Sequence, residues 1–348
     1  MKRLAASALA LLTLLQAGLQ LAQAWDYEGH RVVNQLALAS LPTNFPAFVR
    51  EPAAAERIAF LAGEMDRWRN TPDLPLKHYS FPDHYLDVEE LATYGLKPEG
   101  LPVFRYDFVA QLALIRKAHP EKFPEPDPEA NLDHTRGLVG FLPWGVAESV
   151  GKLKSGLSCL KAYEEAGTPE EVANAQANII YVMGVMGHLV GDSAQPLHTT
   201  VHHHGWVGDN PQHYTTARGF HSWIDGGYMN KTGGANMQAL RGKLRTAQTV
   251  SINGRPAKPE ETFQAEMLFL IEQNKQVEPL YQLDKEGKLS GEGEKGLEGK
   301  AFLEGQLLKA SQLLGDFWYS AWQEAPPDTF LMGQLAKRKK PAAATESK

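Results

Sequence analysis

The sequence predicts an all-α protein folded as a single-domain helical bundle. Three observations carry that expectation. Apolar residues recur at helical spacing in most segments that show any period. No stretch sustains strand-like alternation of apolar and polar residues, and no unit repeats at a solenoid period. The 348 residues are 43% hydrophobic and 22% charged, an ordinary globular composition.

Taken in order, residues 1–24 read as an export signal and not as part of the fold. Lys2 and Arg3 are its positive end, Leu4 to Leu15 an apolar run too short to span a bilayer comfortably, and Ala22-Gln23-Ala24 a small-x-small cleavage signal. The expected mature chain starts at Trp25 and is periplasmic or secreted. Arg31 to Leu41 carries Val32, Val33, Leu36, Ala37 and Leu41 on one stripe, which predicts the first helix. A helix-like run from Arg57 is expected to end at Asp66. Phe108 to Ala118 repeats the pattern with Val109, Leu112, Leu114 and Ile115, and the Pro/Glu-rich stretch from His119 to Asp133 predicts an exposed loop.

Leu138 to Ala162 is apolar at helical spacing, with Pro143-Trp144 marking its start. Ala173 to Val190 is apolar nearly all round and predicts a central buried helix. It should stop near Asp192, because Gln195-Pro196-Leu197 turns the chain back. Tyr228 to Glu261 is polar, and Asn253-Gly254 between Ile252 and Pro256 predicts a small hairpin. Phe263 to Gln273 and Phe302 to Trp322 complete the helices, with a Gly/Lys/Glu loop from Asp284 to Lys300. Residues 25–325 form the expected domain, and 326–348 read as a basic, disordered tail.

The net charge of −6 does not advertise nucleic-acid binding, so an anionic substrate would need positive charge from elsewhere. Cys159 is the only cysteine, which excludes an intramolecular disulfide. Its neighbours Leu157 and Leu160 predict a buried thiol.

Histidine supplies the strongest chemical signal. Seven of the 12 histidines fall between His188 and His221. GHLVGDSAQPLH puts His188 and Asp192 four apart, with His198 six further on, and HSWID puts His221 and Asp225 four apart. Such pairs share one helical face, and imidazole nitrogen with carboxylate oxygen is a donor set that suits zinc. A buried His/Asp pair at the end of an apolar face wants a cation. His202, His203 and His204 stand in a Gly/Trp-rich loop and read as a solvated rim. At the other end of the chain, a freed α-amine on Trp25, five residues before His30, has a pKa of about 8 and can bind a metal.

With Trp25 at the cleavage point, Gly29-His30, an Asp…His pair, GHLVGDSAQPLH and HSWID, the chain resembles the zinc-dependent single-strand nucleases of the S-one/P-one type. That family shares a trinuclear zinc fold with zinc phospholipases C. The resemblance spans residues 25–225, with helical continuation to 325. It implies a cleft holding three Zn2+ ions. The first would be held by the amine and carbonyl of Trp25 with His30 and Asp192. A second, sharing Asp192, would be held by Asp66, His84 and His188, and the third by His198, His221 and Asp225. Asp73 is the rival of Asp66, and His78 the rival of His84. The HYLD stretch favours His84, through likeness to the family's His-Tyr/Phe-Ile-Asp.

The resemblance implies an exported hydrolase of phosphodiester bonds, cutting single-stranded DNA or RNA to 5′-phosphorylated products with a zinc-bound hydroxide, and acting on 3′-nucleotides as well. Asp66 would orient the attacking oxygen, Asp192 would bridge two ions, and the third ion would stabilise the leaving 3′-oxygen. Asn210 and nearby glycine amides would contact phosphate, while Trp206 or Tyr85 would stack a base; Trp206 equally suits pinning its own loop. A monomer without stable membrane association is expected. The rivals are a zinc phospholipase C acting on lipid head groups and a zinc-storage protein. Fungal and plant members carry disulfides that this chain cannot form, and its loops 120–133 and 228–261 lack family counterparts.

Overall fold

The computed structural model describes residues 25–338, so the expected export segment 1–24 and the stretch 339–348 lie outside the described residues. Helices dominate the remainder, in an all-α, single-domain arrangement around one hydrophobic core. Helix α1 (Tyr27–Ser40) starts before its apolar stripe because the Asp26 carboxylate accepts the Gly29 N–H at 3.0 Å. Next come α2 (Pro52–Leu61), α3 (Glu64–Arg69) and α4 (Leu74–Ser80), the last capped by Asp73. Helix α5 (Arg105–Ala118) leads through the exposed 119–133 loop to α6 (Leu142–Ala166), whose first turn holds Pro143 as predicted. Helix α7 (Pro169–Ser193) opens with a capping box in which Thr168 and Glu171 satisfy each other's backbone N–H.

Past the site loops, Ser251–Ile252 pairs with Arg255–Pro256 in the predicted hairpin. Its turn residues Asn253 (φ 50°) and Gly254 (φ 78°) both have positive φ, as a two-residue hairpin turn of this hand requires. Helices α8 (Thr262–Asn274), α9 (Val277–Lys285), α10 (Lys300–Glu324) and α11 (Thr329–Arg338) follow. The core is built where α6, α7 and α10 pack together with α1 and α2 against them. Among the described residues, no helix is long and apolar enough to cross a membrane.

Two positions on α7 bring the helices close. A Cβ on Gly187 would lie 1.6 Å from Asn34 Oδ1, and one on Gly191 would lie 2.6 Å from His30 Nδ1. Asn34 uses the space to donate to the Ile58 carbonyl at 2.8 Å and the Gly184 carbonyl at 3.0 Å, which ties α1, α2 and α7 together.

Four expectations are corrected. Helix α7 is not buried along its whole length: from 171 to 182 only Ala175 and Ile179 are buried, whereas from 183 to 193 all but Val185 are. The run from Arg57 does not reach Asp66, because the chain turns at Ala62-Gly63 and Asp66 sits inside α3. Residues 329–338 are not tail: the Asp328 carboxylate accepts the Leu331 N–H, and Leu335 is buried as α11 packs on α6. The basic end of the chain hid that apolar anchor. Cys159 is half-buried, with its thiol donating to Asp328 at the start of α11.

Candidate metal centre

Six separate pieces of chain deliver the site. The first turn of α1 gives His30, α3 gives Asp66, and a helical turn, Phe81–His84, ends on His84. The last turns of α7 present His188 and Asp192 on one face, as their spacing of four predicts. The Pro196–His198 turn carries His198 back beside them. A helical segment continuing through a π-turn, Trp223–Gly227, carries His221 and Asp225.

These residues form three groups of potential metal ligands, all buried: His30/His188/Asp192, Asp66/His84/His188, and His198/His221/Asp225. Within each group the ligand atoms lie within 4.8 Å of one another. Asp192 faces all three. Its Oδ2 is 2.9 Å from His84 Nδ1 and 3.4 Å from His188 Nε2, and its Oδ1 is 3.4 Å from His30 Nε2 and 3.7 Å from His198 Nδ1.

Tautomers follow from the outer contacts. His188 Nδ1 lies 2.6 Å from the Ala62 carbonyl, and His198 Nδ1 lies 2.5 Å from the His84 carbonyl. A carbonyl only accepts, so both Nδ1 atoms carry the proton and both Nε2 atoms turn a lone pair inward. The His198 lone pair meets His221 Nε2 at 3.0 Å, which in turn lies 3.0 Å from Asp225 Oδ2. His188 Nε2 likewise meets His84 Nδ1 at 3.1 Å. Both ring nitrogens of His30, His84 Nε2, Asp192 Oδ1 and Asp225 Oδ2 are buried without a hydrogen-bond partner. Buried polar atoms left so are rare in folded proteins, and this concentration of them fits bound cations.

Electrostatics points the same way. Burial, then neighbouring His188, holds His30 well below the usual histidine range. Burial and Arg69 bring His84 down to about 4, while burial and His203 bring His221 to about 3. Burial also lowers His198, whereas the carboxylates Asp192 and Asp66 outweigh burial at His188 and raise it. Burial pushes Asp192 up, but the histidines around it, His198 and His188 foremost, leave it well below the carboxylate range. Burial is similarly overcome at Asp66, chiefly by Arg69, whose Nε lies 2.8 Å from Asp66 Oδ1. Asp225 goes the other way: burial raises it well above its usual value. A cation among these groups would stabilise the ionised carboxylate and the neutral imidazoles together.

No protein-family model matches the chain, and neither does any curated protein. The resemblance drawn from the motifs therefore stands on the residues alone.

The remaining predicted residues divide clearly. Trp25 is fully buried, with its indole N–H donating to the Gly191 carbonyl at 3.1 Å, one residue before Asp192. The next residue, Asp26, donates its N–H to the Asp225 carbonyl, so the chain threads between two of the ligand-bearing segments. Of the rival pairs, Asp66 and His84 reach the centre. Asp73 caps α4, and His78 is exposed with Nδ1 on the Asp133 carbonyl, so neither does.

Three substrate-contact expectations meet a competing role. Asn210 is taken up by its own loop: its Oδ1 accepts the Tyr214 N–H and its Nδ2 donates to the Tyr214 carbonyl, both at 2.8 Å. Trp206 donates to the Asp209 carbonyl, stacks on His202 at 3.9 Å and packs on Tyr214 and Tyr281, which is the loop-pinning role. Tyr85 is half-buried and donates its hydroxyl to the Leu138 carbonyl. The rim histidines do stand close: the His204 and His203 rings lie 5.3 Å and 6.2 Å from that of His221.

Two residues escaped the sequence reading. Arg69, one turn after Asp66, and Gln195, inside GDSAQPLH, both touch carboxylates of the candidate ligand groups. Their signal was position: each lies three residues from a candidate ligand.

Proposed function

We propose that this chain is a zinc-dependent phosphodiesterase that cuts single-stranded nucleic acid to leave 5′-phosphates, and that it also releases phosphate from 3′-nucleotides. The observation that carries the reading is the convergence of three buried His/Asp groups on one carboxylate, Asp192. Neutral imidazole with carboxylate oxygen, and no thiolate, is a donor set suited to zinc in a hydrolytic role. The nuclease assignment rests on the motif resemblance and the order of the ligands along the chain.

Bound zinc would lower the pKa of water and draw charge from a phosphoryl oxygen. The chain's own residues supply the rest. Asp192 stays ionised and offers one oxygen towards His30 and the other towards His84 and His188. Arg69 fixes Asp66, whose ionised carboxylate is suited to accept a hydrogen bond from the attacking water and so to aim its oxygen at phosphorus. His188 and His198, locked by backbone carbonyls, hold their lone pairs in place and need no reorganisation during the reaction.

Export, cleavage before Trp25 and ligation by its freed amine belong to the same proposal. The test uses the chain starting at Trp25, assayed on single-stranded DNA, RNA, a 3′-nucleotide and phosphatidylcholine. Cleavage of the nucleic acids to 5′-phosphate ends, abolished by chelator and restored by zinc, is expected. Chelator-insensitive cleavage contradicts the reading. Lipid hydrolysis without nucleic-acid cleavage transfers it to a phospholipase C. Phosphatidylcholine is an informative competitor because Phe104 and Tyr106 are among the most exposed large apolar side chains. A residue added ahead of Trp25 should lower activity, and indifference to it contradicts ligation by the amine.

A further inference from the structure

Gln195 is fully buried in the turn that leaves α7, and all of its polar atoms are engaged. Its N–H donates to the Asp192 carbonyl at 3.0 Å, and its own carbonyl accepts the His198 N–H at 2.9 Å. In the side chain, Nε2 donates to Asp225 Oδ1 at 2.7 Å while Oε1 accepts the Leu197 N–H at 3.2 Å. One residue thus bonds directly to Asp192 of one ligand group and to His198 and Asp225 of another.

We propose that Gln195 is a positioning residue that sets the affinity of the His198/His221/Asp225 group for its ion and ties that group to Asp192. The proposal rests on the reading of the three groups as metal sites. Asp225 reaches the centre from a separate piece of chain, so something must choose which oxygen it presents. The Gln195 amide does so by engaging Oδ1, which leaves Oδ2 facing His221 at 3.0 Å. The Leu197 N–H fixes the orientation of that amide, because an Oε1 that accepts there leaves Nε2 as the end facing the carboxylate. Glutamine is suited to the task because it donates without adding charge, whereas a carboxylate at this position would oppose Asp225. The backbone contacts make the coupling mechanical: a shift of the turn moves Asp192, His198 and the amide together.

Outer partners of metal ligands typically govern affinity by about 10- to 100-fold. The test is a competition titration of zinc against a chromophoric chelator, on the chain starting at Trp25. Gln195→Met keeps the side chain's length and removes both of its polar contacts. Two ions should bind as in the wild type, and one should weaken by about 10- to 100-fold. In an Asp225→Asn background the same substitution should add little, because its effect runs through Asp225. A third ion held within twofold of wild type overturns the proposal. So does equal weakening of all three, which marks a general structural role. Should Gln195→Met not fold, Gln195→Glu keeps the shape and is expected to lose the same ion; its retention overturns the proposal equally. A wild type holding fewer than three ions refutes the metal-site reading itself, before any variant is compared.

Discussion

The two halves of α7 look alike in sequence and do opposite work. Residues 171–182 carry Val172, Ile179 and Ile180 at helical spacing, yet this half lies largely at the surface, with Tyr181 41% exposed. Residues 183–193 carry a similar apolar load and are almost wholly buried, together with His188 and Asp192. The difference lies in what approaches. At the second half, Gly187 and Gly191 admit the Asn34 and His30 side chains, so polar groups enter the core at close range. At the first half nothing comparable arrives. Apolar periodicity locates a helix; the absence of a Cβ decides which part of it becomes a site.

That contrast can be broken at four points, in falling order of effect. Asp192→Asn should lower kcat/KM by more than about 100-fold, because it removes a direct ligand rather than an outer partner. Steady-state kinetics on single-stranded DNA would check this, and wild-type activity in the variant would refute the bridging role. Gly187→Ala should destabilise the fold by about 3 kcal/mol, since its Cβ would lie 1.6 Å from Asn34 Oδ1. Denaturant melts would measure it, and an unchanged midpoint would show that Asn34 can move away without cost.

The third point is Glu266 on α8, fully buried, with burial raising its carboxyl to about 7 despite the nearby Ser193 hydroxyl at the end of α7. The folded-state value exceeds the unfolded one near 4.5, so its contribution is fully present below that pH and fades as pH rises through about 7. Wild-type stability should therefore fall across that window, by an amount on the order of 3 kcal/mol. Glu266→Gln should flatten the fall, and melts at a series of pH values would read the difference. Parallel curves for both proteins would show that Glu266 is not protonated in the fold. Smallest of all, Tyr181→Ala on the exposed half should cost less than about 1 kcal/mol. A larger loss would mean that this half is packed more closely than its exposure indicates.

Much of this was legible beforehand. The spacings of His188/Asp192 and His221/Asp225 put each pair on one face, and the Pro-stopped helix brought His198 back beside Asp192, because these are local rules; that the two pairs meet came from the motif resemblance. The Asn253-Gly254 hairpin was legible for the same reason. What stayed hidden depends on distant partners. Nothing local says that Gln195 will meet Asp225 thirty residues on. Short helices such as α3 and α11 were missed because their apolar contacts are too few to show a period: only Leu335 in α11 is buried.

The central claim is that one carboxylate organises three metal sites. Elemental analysis of the chain starting at Trp25, purified without chelator, tests it most directly when run beside Asp192→Asn. Three zinc ions per wild-type chain and fewer in the variant are expected. Fewer than three ions in the wild type, or equal content in both proteins, would contradict it.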